Sequence, residues 1–186
     1  AIIANDTVAL YYKDGQLKVF RTDTGDLVTD TTVEPVEGQQ SVMMNNEGDG
    51  YVWLELRDND RYETTATRVY GPDGLVSDLT HLQSKYYALN YLTTTPEGRP
   101  LYYGAAEAPS SSGTLCDVLD ETGNVALGLG GLGSCYSYYS NSLNQLPDHV
   151  FVARRGFYYG WMDTDGKWLY CQSIFSSINA DDEMGY

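Results

Sequence analysis

Residues 160–172 read GWMDTDGKWLYCQ, and this stretch decides the fold. Two segments rich in aromatic residues alternate on either side of DTDG. In that turn Asp163 can accept hydrogen bonds from nearby backbone N–H groups and Gly166 tolerates a positive φ. The combination specifies a β-hairpin. Weaker copies read RTDTGDLVTD around Gly25, YGPDGLVSD around Gly74 and LDETGNVALG around Gly123. Their glycines and Gly166 are spaced by 49, 49 and 43 residues, within the ~40–50-residue period of propeller blades and related β arrays. The sequence therefore predicts an all-β fold of four repeats, each of three or four antiparallel strands, stacked as a small or partial β-propeller. A linear array of hairpins or a two-sheet sandwich is the alternative.

Working outward, each copy has strands of its own. In the first, residues 8–12 place Val8, Leu10 and Tyr12 on one face, residues 13–16 turn, LKVF resumes, and DLVTDTTV leaves after the turn at Gly25. In the second, YVWLEL sets Val52, Leu54 and Leu56 against Tyr51, Trp53 and Glu55, while Val42-Met43-Met44 fits an inner strand ahead of it. The third opens on YYALNYL and reaches the TLCDVLDETGNVAL hairpin across an insertion carrying TTTPEGRP and APSSSG. Tyr136, Tyr139, Leu143 and Leu146 fall at helical spacing, predicting a short helix before Pro147. In the fourth, HVFVARR, FYYGWMD and KWLYCQ all alternate as strands do. The chain reads as one repeat domain with approximate units 1–40, 41–84, 85–147 and 148–186. The N-terminal AIIANDTV is a candidate for the missing closing strand of a ring.

Composition narrows the chemistry. Eleven basic against twenty-six acidic side chains give a formal net charge of −15, which opposes nucleic acid phosphates and anionic membrane surfaces as partners. No apolar run approaches the ~20 residues of a membrane span, so no membrane insertion is expected. Cys116, Cys135 and Cys171 permit one disulfide at most. Seventeen tyrosines, with many Thr, Ser, Asn and Gly and few lysines, accord with a secreted or cell-surface β protein.

Several chemical motifs are present only in outline. GLGGLG, residues 128–133, satisfies G-x-G-x-x-G, yet a dinucleotide site needs a βαβ unit around it, so a glycine loop is expected and no cofactor. Asp58, Asp60, Asp163, Asp165, Asp181, Asp182 and Glu183 offer oxygen ligands, but none completes a calcium loop, and turn aspartates serve backbone hydrogen bonding. His81 and His149 lie far apart with no Cys-x-x-Cys beside them, so no metal site is expected. No G-x-S-x-G elbow is present, and no catalytic residue is selected.

At residues 160–186 the chain resembles the WG-type repeat of bacterial proteins, matched at Gly160, Trp161, Asp163, Gly166, Lys167 and Trp168. The first unit, VALYYKDGQLKVFRTDTGDLVTD, is similar to a quinoprotein-type propeller blade. Both resemblances imply β architecture, and neither carries an active site to these positions.

The candidate ligand-binding residues are Tyr158, Tyr159, Trp161, Lys167, Trp168 and Tyr170, because a hairpin must bring some of these rings onto one face, where they would stack on sugar rings or a partner's side chains. The functional expectation is a non-catalytic interaction module of a bacterial secreted or cell-surface protein, with a protein or glycan partner. The alternatives are a carbohydrate-active hydrolase with a carboxylate pair and a structural spacer in a longer repeat protein.

Overall fold

A computed structural model describes residues 1–4, 7–48, 50–107, 114–131, 134–136 and 146–173. Among these, sixteen strands form four open antiparallel sheets of four strands each, every one a simple meander. The first contains β1 (Ile2–Ala4), β2 (Thr7–Tyr11), β3 (Gln16–Arg21) and β4 (Leu27–Thr32). The second contains β5 (Ser41–Gly48), β6 (Tyr51–Asp58), β7 (Glu63–Gly71) and β8 (Gly74–Asp78). The third contains β9 (Ala88–Thr94), β10 (Pro100–Glu107), β11 (Thr114–Leu119) and β12 (Val125–Gly131). The fourth contains β13 (Ser134–Tyr136), β14 (Val150–Arg155), β15 (Tyr158–Asp163) and β16 (Trp168–Ser173). The fold is thus all-β and built from four repeats, as the glycine period requires. The chain divides into two compact units, residues 1–83 and 84–186, each holding two sheets.

The four periodic glycines occupy the same topological place. Gly25, Gly74, Gly123 and Gly166 each lie in the hairpin between the third and fourth strands of their sheet. Their turns are not all alike. At Gly123 and Gly166 the glycine N–H donates to the carbonyl three residues back, Asp120 O (2.9 Å) and Asp163 O (3.0 Å), and the same five-residue turn recurs at Gly15 and Gly98. The turn at Gly25 is one residue longer, and Gly74 closes a tight hairpin directly opposite Gly71.

In the first unit, two sheet faces form one core. Ala9, Leu17, Val19 and Val33 pack against Val52, Leu54, Leu56, Ala66 and Tyr70. The buried face of β2 carries Thr7 and Ala9, while Val8 and Leu10 share the other, partly exposed face. A polar residue sits inside because Asn46 of β5 satisfies it: Thr7 Oγ1 donates to Asn46 Oδ1 (3.3 Å), and Asn46 Nδ2 donates to Thr7 O (3.0 Å) and Ile2 O (3.2 Å). The N-terminal segment, considered as a closing strand, pairs with β2 of its own sheet, Ile2 opposite Ala9. Such local pairing requires only a short loop to close.

In the second unit Leu92, Leu101, Cys116, Val118 and Leu129 pack against Phe151, Ala153 and Met162. The stretch read as an insertion holds a full strand, β10, whose Gly104-Ala105-Ala106 weakens the sequence signal. Gly104 is needed there because a Cβ would come within 2.8 Å of the Tyr86 ring. Tyr86 OH in turn donates to Asp117 Oδ2 (2.7 Å), and Lys85 Nζ lies 4.5 Å from the ring centroid. Burial first, and then the Asp117 carboxylate, push the Tyr86 phenol well above its ordinary range.

Two further expectations change. Ser134–Tyr136 is a strand pairing with β14 rather than the start of a helix, since β14 offers it a free edge of backbone partners, and it draws the fourth unit upstream of residue 148. The remainder of that expected helix, residues 137–145, lies outside the described residues. Gly128, Gly130 and Gly131 are ladder residues of β12, paired with Asp117, Cys116 and Leu115, and so form no phosphate loop.

Candidate functional site

Strand register sorts the fourth sheet into two faces. Phe151, Ala153 and Met162 point into the core, and Trp168, opposite Met162, packs against the same cluster. The outer face consists of two cross-strand rows. One runs Val152, Trp161, Tyr170; the next runs Arg154, Tyr159, Gln172. A bulge between Trp161 and Met162 leaves Leu169 as the extra residue, also exposed.

On that face Trp161 and Tyr170 are 42 % and 55 % exposed, and their rings meet edge to face with centroids 6.3 Å apart and planes at 62°. The Gln172 amide joins the two phenols: its Nε2 donates to Tyr159 Oη, while Tyr170 Oη donates to Gln172 Oε1 at 3.2 Å. Arg154 Nε donates to the Gly156 carbonyl (3.2 Å), fixing the guanidinium at the β14–β15 turn. The result is an exposed aromatic corner beside a row of hydrogen-bonding groups and one cation.

Of the residues proposed from sequence, Tyr159, Trp161 and Tyr170 come together on this face. Tyr158 is exposed but lies opposite Arg155 and Ser173, one position off it. Lys167 is exposed in the turn, and Trp168 faces the core. Gln172 and Arg154 escaped the sequence reading, although their two-residue spacing from Tyr170 and Val152 carries the signal once register is known.

The turn below the face is held by Asp163, whose Oδ1 accepts the N–H groups of Asp165 (3.1 Å) and Lys167 (2.8 Å). Asp120 performs the same service for Thr122 and Asn124, both at 2.9 Å. Burial would raise the Asp120 carboxyl, but hydrogen bonds from Thr122, Asn124 and Gly123 outweigh it and hold it below its ordinary value. Asp58 likewise accepts from Asp60 N and Arg61 N. Among the described residues no three His, Cys, Asp or Glu side chains converge as metal ligands, and Asp181, Asp182 and Glu183 lie outside those residues. Replacing Asp163 with alanine is expected to lower stability by about 1 kcal/mol, read by urea denaturation, with asparagine, whose Oδ1 also accepts the two N–H groups, recovering most of the loss. An alanine variant as stable as the parent would show that Asp163 does not hold the turn. Cys116 is buried and Cys171 exposed.

A family described as a domain of unknown function (DUF5046) matches residues 3–182. The chain belongs to the DUF5046 family. No curated protein matches this DUF5046 chain. Among solved structures it is similar to the crystal structure of the computationally designed Ika8 protein, at 19 % identity over 90 % of this chain, with a TM-score of 0.40. The DUF5046 chain spans 46 % of that protein's length. Among its described residues no helix is long and apolar enough to cross a membrane.

Proposed function

We propose that this chain is a non-catalytic interaction module whose contact surface is the outer face of the fourth sheet. The supporting observation is the exposed Trp161–Tyr170 pair with the Tyr159–Gln172 row beside it. Rings held in fixed orientation bind a ligand at small entropic cost, and phenol and amide groups at their rim supply directional hydrogen bonds. Among the described residues the core of this unit is made from the opposite face. The partner is a protein or glycan rather than nucleic acid, given the net charge of −15. Placement in a bacterial secreted or cell-surface protein belongs to the same proposal. It rests on the tyrosine-rich, lysine-poor composition and on the WG-type resemblance at residues 160–168.

Binding to immobilised glycans and peptides tests the proposal. Saturable binding is expected, with Trp161→Ala weakening it at least about tenfold while the far-UV circular dichroism and melting temperature stay within error of the parent. Turnover of a glycoside or ester by the purified chain, or binding indifferent to Trp161, would overturn it.

A further inference from the structure

The ion pairs of the second unit are unevenly distributed. Lys85 lies 3.8 Å from the Asp117 carboxylate, and Arg99 reaches Glu97 (3.9 Å) and Glu121 (3.8 Å). Arg154, Arg155 and Lys167, the basic residues of the fourth sheet, make no ion pair among the described residues. That is unexpected on statistical grounds, since acidic groups outnumber basic ones by 26 to 11. Of these three, Arg154 stands on the aromatic face.

The overall field of the protein repels anions, so a local cation there selects among ligands by contact rather than attracting them from afar. Arg154 stands in the same cross-strand row as Tyr159 and Gln172. Its Nε is engaged by the Gly156 carbonyl, leaving its terminal nitrogens to form a fork that matches a carboxylate. Trp161 offers a ring face to the C–H surface of a pyranose, and the linked phenol and amide groups offer both donors and acceptors to its hydroxyls. An acidic peptide would use the cation, but a chain of alternating hydroxyl groups uses all of the row.

Resting on the reading of this face as a binding surface, we propose that its ligand is an acidic saccharide, a pyranose bearing a carboxylate, with Arg154 receiving the carboxylate and Trp161 stacking on the ring while Tyr170, set at 62° to it, borders the sugar. Titration of the full chain by calorimetry with an oligogalacturonate, the neutral galactose oligomer of equal length, and polyglutamate tests this. The uronate is expected to bind most tightly and to weaken as salt is added. Arg154→Gln is expected to lower its affinity about tenfold and to leave the neutral oligomer unaffected, whereas Arg99→Gln, an equal change of charge away from the face, changes neither. Equal binding of uronate and neutral oligomer, or indifference to Arg154→Gln, overturns the acidic class while the binding face stands. Polyglutamate bound as tightly, and released by Arg154→Gln, overturns the saccharide. If no saccharide binds, the inference fails, and if no probe of any class binds, the binding face fails with it.

Discussion

Gly160→Ala is expected to destabilise the chain by about 3 kcal/mol or more. A Cβ at residue 160 would stand 2.1 Å from Tyr170 O and 2.7 Å from Cys171 Cα, both backbone atoms of β16. Side-chain repacking relieves many overpacked sites, but here no side chain is in the way. Strands β15 and β16 must separate instead, at the cost of ladder hydrogen bonds next to the bulge that sets Trp161 opposite Tyr170. The variant should therefore lose near-UV circular dichroism from the aromatic pair as well as stability in urea. Gly25→Ala is the control: Gly25 has φ 76° and nothing within 4 Å of a Cβ, so it carries only the conformational cost of about 1 kcal/mol. If the two substitutions cost the same, the close approach of β16 is not what demands glycine at 160.

Gly160 also shows how far the sequence could be read. As part of a matched motif it was visible, but its reason was not, because the atoms that exclude a side chain belong to a neighbouring strand whose register depends on a bulge. The periodic glycines were legible for a different reason. Turn chemistry is local, and Gly123 and Gly166 announce their hairpins through the aspartate three residues before each. The period located the same hairpin in every sheet even at Gly25 and Gly74, where the turn geometry differs. Topology thus outlasted turn type. Strands made of small residues were hidden: β10 owes its Gly104 to the Tyr86 ring that covers it, a contact that no alternation pattern records.

Faces were harder still. The choice between Val8–Leu10 and Thr7–Ala9 follows apolar content only when polar side chains lack buried partners, and Asn46 supplies one from 39 residues away. On the fourth sheet, alternation puts chain neighbours such as Trp161 and Met162 on opposite faces. It could not place Trp168, since the bulged residue Leu169 shifts β16 by one and returns Trp168 to the core side. The candidate face was therefore half visible: its rings could be named from the sequence, but Arg154 and Gln172 join them only through the strand register.

The other large effect expected is one of pH, centred on Glu47. This residue is the bulge of β5, between Asn46 and Gly48 in the pairing with β6. It makes no hydrogen bond or ion pair among the described residues, and burial pushes its carboxyl from the ordinary 4.5 up to about 7. A folded-state value above the unfolded one means that the folded chain holds this proton more tightly. Stability from that source is fully present below pH 4.5 and is lost as pH rises to about 7. The loss is on the order of 3 kcal/mol, reduced by whatever solvent reaches the partly buried side chain. Glu47→Gln keeps the shape and removes the titration, so its stability relative to the parent should grow across that interval and level off above it. Carboxyls held low by hydrogen bonds, such as Asp120, act in the opposite direction at more acidic pH and are common to both proteins, so they cancel in the difference. Urea denaturation of both chains at pH 4.5, 6, 7 and 8 measures it. Parallel stability curves would mean that the Glu47 carboxylate is solvated in the folded state. Diverging curves would mark the Asn46–Glu47 bulge, which ties β5 to the first two strands through Thr7 O and Ile2 O, as the place where rising pH first loosens the unit.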